Sequence, residues 1–179
     1  SPNNPGALVS RKYIKLGFAN EQVTAKNYSE AEAFYNEILV DFPNDRETLM
    51  NKANLYLISK QLKKGKDVYY ALATNPKDSI VSLNGLSLLA HLGNKNGEAL
   101  KIANQSLVKS AKIQDKKIIQ QTHERHVQAL IWNKKYTPAE QKIQKLLAEY
   151  PNENWVLALS ATLAIYRSDF KQSIADYET

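Results

Sequence analysis

The stretch Asn27-Tyr28-Ser29-Glu30-Ala31-Glu32 decides the fold, because its pattern of an anchor residue and a small residue three places later recurs along the chain. Successive copies are 34 residues apart, except for one interval of 40. A constant period of this length is typical of arrays in which each unit buries one face against its neighbours. The copies of the pattern are Tyr28/Ala31, Leu62/Gly65, Asn96/Ala99, Tyr136/Ala139 and Phe170/Ser173.

Each period contains two segments whose apolar residues recur with helical spacing. In the second unit, Leu49, Ala53 and Tyr56 lie at i, i+4 and i+7, and the next segment continues the same rhythm. This spacing fits an amphipathic helix, and it does not alternate as a half-buried strand would. The predicted helices are 8–25, 28–42, 46–59, 62–74, 79–92, 96–112, 116–133, 137–149, 154–167 and 170–179.

Proline, asparagine and glycine residues separate these segments. Proline cannot continue a helix, and an Asp or Asn after it can cap the next one. The stretches at 43–45, 75–78 and 151–153 therefore end one unit and begin another, whereas Gly93-Asn94 and residues 133–135 separate the two helices of a unit. The six extra residues of the long interval predict a longer helix and turn around residues 109–115.

These patterns resemble the tetratricopeptide repeat family, whose unit of 34 residues is a helix-turn-helix with a small residue in each helix. The resemblance covers about residues 12–179 and implies an all-α, right-handed helix-turn-helix solenoid of about five repeats, the last one truncated. The small residue of the first helix falls on Ala19, Ala53, Ser87 and Ala161, with Val127 as a departure. The aromatic of the second helix falls on Tyr35, Tyr69 and Tyr177, with Ala103 and Ile143 in the other two units.

The ends of the chain predict a fragment of a longer protein. Residues 1–7 are interpreted as a linker or an artificial end, and residues 8–179 as the repeat array. The last helix stops at Thr179 without the polar capping helix that terminal repeats need for solubility. Phe170, Ile174 and Tyr177 are therefore predicted to form an apolar stripe that further chain normally covers.

The net charge of +6 is unevenly distributed. Residues 46–119 carry thirteen basic and five acidic side chains, whereas residues 1–45 carry four and six. This basic excess can attract an acidic partner, although a solvated lysine face without a specific ligand is the simpler interpretation. Cysteine is absent, which excludes disulfides and zinc-cysteine sites, and no apolar run is long enough to span a membrane. Without a targeting segment, a cytoplasmic and a periplasmic location both stay open.

Few residues point to catalysis. His123 and His126 share a helix face and could hold a metal, but the HExxH zinc pattern needs i, i+4 spacing. They occupy the repeat positions of Leu83 and Leu86, which predicts two partly buried, hydrogen-bonded histidines. No phosphate-binding glycine loop, nucleophile motif or dense carboxylate pair occurs. The sequence therefore predicts no catalysis, metal or cofactor in this segment.

The resemblance implies a binding surface on the concave face, which the first helices line and where an extended peptide often lies. The predicted partner-binding residues are Asn20, Asn51, Asn54, Asn84, Gln128, Trp132, Trp155 and Tyr166. Further residues of the same groove are Tyr13, Leu16, Leu88, His91 and Thr162.

The chemistry of this groove suggests two kinds of contact. Asparagine can both donate to and accept from a peptide main chain, and Asn20 and Asn54 are one period apart. The aromatic residues can stack on a peptide or a sugar, although packing between units would also explain them. Leu16 and Met50 hold places where a carboxylate clamp needs lysine, which argues against such a clamp.

The sequence favours a protein–protein interaction or assembly scaffold that binds another protein or a peptide segment. Two alternatives stay open. One is a periplasmic scaffold within a cell-envelope exopolysaccharide secretion protein, with a polysaccharide or envelope assembly as partner. The other is a non-catalytic array attached to an enzyme. Nucleic acid is not expected, because the basic residues are not interleaved with aromatic ones.

Overall fold

In a computed structural model of the chain, residues 4–177 are described, with side chains as far as residue 167. These residues form nine α-helices and no strand, which confirms the predicted all-α class. The helices are α1 (Pro5–Thr24), α2 (Tyr28–Asp41), α3 (Arg46–Ile58), α4 (Leu62–Ala73), α5 (Ser79–Leu92), α6 (Asn96–Ser110), α7 (Lys116–Trp132), α8 (Tyr136–Glu149) and α9 (Asn154–Tyr177), with a 3-10 turn at Pro76–Asp78. Within the described chain, no helix has the length and apolar character that crossing a bilayer requires.

The chain divides into two compact units, residues 1–78 and residues 79–179. In the first unit, α1 packs on α2, α2 on α3, and α3 on α4. In the second, α5 packs on α6, both contact α7, and α9 packs against α7 and α8. The first unit therefore consists of two helical hairpins, and the second of two hairpins followed by α9.

The small positions of the second helices in the first four units are buried, as predicted. Ala31, Ala99 and Ala139 have no exposed surface, and Gly65 is also buried. The large residues beside them, Tyr35, Tyr69 and Ile143 among them, are buried as well. Small side chains let two helices approach to the lower end of the packing range of about 8–10 Å, and large ones fill the neighbouring space.

The turns inside the hairpins each use one residue with a left-handed backbone conformation. Lysine has no preference for a positive φ, so the residue type alone does not specify these turns. They are closed by backbone hydrogen bonds, such as that from the Asn27 amide to the Gln22 carbonyl at 2.8 Å. Packing of the second helix against the first stabilises the arrangement. The residues concerned are Lys26 (φ 64°), Lys60 (57°), Asn94 (60°) and Lys134 (57°).

The predicted break at Ser168-Asp169 is wrong, because α9 continues to Tyr177. Ala161 is exposed, whereas its equivalents Ala19, Ala53, Ser87 and Val127 have no exposed surface. In those four units a second helix turns back and covers this position. A turn inside a hairpin needs one residue with a left-handed backbone conformation, which is unfavourable unless the second helix packs onto the first. Without such packing, a continuous helix has the lower free energy. The predicted stripe of Phe170, Ile174 and Tyr177, the small residue Ser173 and the final Thr179 lie outside the described side chains.

The N-terminal helix begins earlier than predicted. Asn4 caps it by accepting a hydrogen bond from the Gly6 amide at 2.9 Å, and Pro5 occupies the first helical position, where its missing N–H costs nothing. Residues 5–7, predicted to belong to a linker, are thus helical, and residues 1–3 lie outside the described part. The six extra residues of the long interval are spread between α6, the connection at 111–115 and the seventeen-residue α7.

Candidate protein-binding site

The asparagines predicted in the first unit lie at its surface. Asn20 and Asn54 are exposed and Asn51 is partly buried. The Oδ1 atom of Asn20 accepts a hydrogen bond from the Tyr35 hydroxyl at 3.0 Å, whereas Asn51 and Asn54 make no side-chain hydrogen bond to the described residues. These two amides can therefore pair with an external main chain. Leu16, predicted in the groove, is only 4% exposed and belongs to the core.

Asn84 was predicted on the binding surface, but it is buried, with 8% of its surface exposed. Its Nδ2 donates to the Thr122 hydroxyl at 3.1 Å, and its Oδ1 accepts from the Ser106 hydroxyl at 2.7 Å. This chain of bonds connects α5 to α6 and α7. Buried polar groups need such partners, so Asn84 has a structural role within the unit and is removed from the candidate site.

Trp132 is the centre of a cluster on α5 and α7 that we call the tryptophan cluster (His91, Arg125, Gln128 and Trp132). The ring of His91 is parallel to that of Trp132, with centroids 3.8 Å apart and an interplanar angle of 2°. The guanidinium carbon of Arg125 lies 5.6 Å from the Trp132 centroid, within cation–π range. Arg125 Nη1 also donates to Gln128 Oε1 at 2.9 Å, so Arg125 links two predicted site residues, Gln128 and Trp132.

The orientation of the cluster is held from the first residue of α6. Asn96 donates through Nδ2 to the Trp132 carbonyl at 3.0 Å, and its Oδ1 lies 2.7 Å from His91 Nδ1. One amide thereby positions both stacked residues. The predicted aromatic grouping of Trp132, Trp155 and Tyr166 is not formed by direct ring contact among the described residues.

Trp155 instead packs within α7–α9. Its ring is nearly parallel to that of His123 at a centroid distance of 6.4 Å, and Tyr150 lies 5.5 Å away at an angle of 54°. Like Trp132, it also rests against the hydrophobic core of the second unit. Tyr166 projects from α9 with 44% of its surface exposed. Of the three aromatics, Tyr166 is exposed, whereas Trp132 and Trp155 are both partly buried.

His123 and His126 are partly buried, and the side chains that the structure describes contain no metal-binding group of three or more His, Cys, Asp or Glu residues. His126 Nε2 lies 2.9 Å from Asn104 Oδ1, while the Nδ1 atoms of both histidines are buried without a hydrogen-bond partner. Burial, and then the neighbouring Lys142, lowers the pKa of His123 and of His126 to about 4. Both rings are neutral near pH 7.

Acidification from pH 7 to pH 5 is therefore expected to destabilise the second unit. Unfolding returns both histidines to an ordinary pKa of about 6.5, so the unfolded chain binds protons that the folded one excludes. The free energy of unfolding therefore falls as the pH falls from about 6.5 towards 4. The midpoint of urea denaturation, followed by tryptophan fluorescence, measures this loss. The double variant His123→Leu/His126→Leu should lose most of this dependence. A midpoint equal at the two pH values would contradict the burial of neutral rings.

Sequence reasoning missed Arg125 and the stacking of His91 on Trp132. Arg125, Gln128 and Trp132 are spaced i, i+3 and i+7 along α7, so helical spacing alone would have placed Arg125 on the same face. His91 was placed in the groove, but its stacking was not predicted, because it depends on how α5 packs against α7.

The comparisons with known proteins agree with this architecture. No family model matches the chain, and no curated protein matches it significantly. Among solved structures, a tetratricopeptide repeat protein from Parabacteroides merdae superimposes with a TM-score of 0.69 and 16% identity. The match covers 97% of this chain and 69% of that protein. The chain has a tetratricopeptide repeat fold. This confirms the fold class, whereas the number of repeats stays a prediction.

Proposed function

We propose that this tetratricopeptide repeat chain is a protein-interaction module that binds a peptide segment through the tryptophan cluster. The fold suggests an interaction scaffold, and the stacking of Trp132 between α5 and α7 is the observation that carries the proposal. Interface hot spots are enriched in Trp, Tyr and Arg, and the cluster joins a tryptophan to an arginine.

The cluster is preorganised for binding. His91 stacks on the Trp132 ring, Asn96 bonds to the His91 ring and to the Trp132 carbonyl, and Gln128 accepts a hydrogen bond from the guanidinium of Arg125. Side chains that are already ordered lose little rotamer freedom when a partner arrives. A partner segment with an apolar or aromatic residue beside a carboxylate fits this site, because tryptophan offers apolar contact and arginine pairs with carboxylates. In the first unit, Asn51 and Asn54 supply separate sites for main-chain hydrogen bonds.

Replacing Trp132 by alanine is expected to weaken peptide binding by about 2 kcal/mol, or roughly thirtyfold. Peptides selected from a random phage-displayed library on the full chain provide the ligand, and fluorescence anisotropy gives the Kd. Trp132→Phe should lie between the wild type and Trp132→Ala, because it keeps a ring that can stack. Tyr166→Ala tests whether the exposed tyrosine of α9 also contributes.

Lys116→Glu/Lys117→Glu is the matched control, since both lysines are exposed on the same helix, α7. Exposed charges are screened over about 8–10 Å at physiological salt. Loss of binding from the lysine variant alone, and only at low salt, would refute the tryptophan cluster and assign binding to the basic surface. Thermal unfolding of each variant distinguishes lost contact from lost fold.

The other functional hypotheses stay predictions. Repeat arrays of this fold are typically non-catalytic, and the absence of catalysis in this chain is expected on that ground alone. A role within an exopolysaccharide secretion protein, or attachment to an enzyme, has no specific support among the described residues.

A further inference from the structure

We infer that a groove along α6 is a second docking surface, which takes an acidic amphipathic helix from another protein. The groove has a volume of about 870 Å³ and lies within the second unit. Its lining comes from Leu83 of α5 and from one face of α6. The α6 residues are Gly97, Leu100, Lys101, Asn104, Gln105, Val108 and Lys109.

The shape of the groove fits a helix. Gly97, Lys101, Asn104 and Val108 recur at i, i+4, i+7 and i+11, so the lining runs along α6 for about 17 Å. That length accommodates about three turns of a partner helix. Gly97 leaves one end open, since a Cβ added there would meet no atom within 4 Å.

The groove has an apolar base and an apolar edge. Leu83 is partly buried and Leu100 is almost fully buried, whereas Val108 keeps 76% of its surface exposed. Because so much of its apolar surface is exposed, covering Val108 with apolar side chains of a partner would contribute a favourable free energy of burial. The groove is also preformed, because Asn104 contacts His126 of α7 and Ser106 bonds to Asn84 of α5.

The charges of the groove select the partner. Lys101 and Lys109 are exposed, lie about 12 Å apart along α6 and form no ion pair with the described residues. Among the residues that the structure describes, no acidic side chain lines the groove. A helix with apolar residues at i, i+4 and i+7, flanked by carboxylates two turns apart, complements this pattern.

A second copy of the chain complements the groove poorly. Residues 79–119 carry six basic and two acidic side chains, so two such grooves facing each other would bring lysine against lysine. Like charges across an interface disfavour association. The carboxylates of an acidic helix satisfy the same lysines.

The test uses the full chain and three fluorescein-labelled helical peptides of eighteen residues. The first carries leucine at i, i+4, i+7 and i+11 with flanking glutamates, the second has lysine in place of glutamate, and the third is a scrambled isomer of the first. Fluorescence anisotropy is expected to show the first binding at least tenfold more tightly than either other peptide. Equal binding of the first and the scrambled peptide, or no binding of the first, would overturn the inference.

Gly97→Leu fills the open end of the groove and is expected to weaken binding of the acidic peptide at least tenfold. Because leucine is a better helix former than glycine, the substitution should not unfold α6. A loss of binding would therefore reflect the filled groove and not an unfolded chain. Gly17→Leu is the matched control, since Gly17 in α1 also has nothing within 4 Å of an added Cβ. This variant should bind the acidic peptide as tightly as the wild type does. If the two variants behave alike, the groove is not the site.

Further measurements separate the alternatives. Lys101→Glu/Lys109→Glu should weaken the acidic peptide and strengthen the lysine peptide, whereas the same charge reversal at Lys116 and Lys117, which are exposed and do not line the groove, should change neither. Loss of acidic-peptide binding in Trp132→Ala would assign that peptide to the tryptophan cluster and overturn the second surface. Sedimentation of the wild type tests for a self-interface. Self-association that Gly97→Leu abolishes would make the occupant a second copy and contradict the inferred acidic partner.

Discussion

Replacing Leu146 by alanine is expected to lower the free energy of unfolding of the second unit by about 2–5 kcal/mol. Leu146 has 0% of its surface exposed and belongs to the hydrophobic cluster formed by α6–α9. Truncation removes its transfer free energy and leaves a cavity that the surrounding helices close only in part. Urea denaturation followed by tryptophan fluorescence measures this loss, because Trp132 and Trp155 both report on the second unit.

The matched control is Leu157→Ala in α9, where the leucine is 52% exposed. A surface substitution of this kind usually changes stability by less than about 0.5 kcal/mol. Similar losses in the two variants would mean that α8 does not bury Leu146 against the core.

Replacing Ala139 by leucine is expected to destabilise the same unit by about 1–3 kcal/mol. Ala139 has no exposed surface and marks the small position where α8 approaches its neighbours. Added bulk there forces side chains from their rotamers or separates the helices. The urea midpoint should fall without a large change in slope, since the surface exposed on unfolding stays similar.

Ala148→Leu tests whether position or side-chain size causes this effect. Ala148 lies on the same helix and is exposed, so the same substitution should be almost neutral. An unchanged midpoint for Ala139→Leu would show that the repeat register is misplaced.

The sequence by itself determined the all-α class and the register of the small positions in the second helices. Ala31, Ala99 and Ala139 repeat where two helices must approach closely, and only small side chains fit there, so the linear pattern is enough to identify them. The turns at 43–45, 75–78 and 151–153 were predictable for a similar reason. Proline and asparagine act through their own backbone preferences, which do not depend on distant residues.

Only the tertiary structure decided which polar and aromatic residues reach the surface. Asn84 and Asn54 are both asparagines within helices. The Asn84 side chain is hydrogen-bonded to Thr122 and Ser106 from two other helices, whereas Asn54 is exposed. The stacking of His91 on Trp132 joins residues 41 positions apart and likewise depends on how α5 meets α7.

The same distinction explains the error in α9. The 34-residue register predicted a turn at Ser168-Asp169, but none of the residue types there requires one. Elsewhere the turn forms because the second helix packs onto the first and offsets the cost of a left-handed residue. Local sequence specifies a helix through spacing and caps, whereas a hairpin is stable only when the two faces bury enough surface against each other.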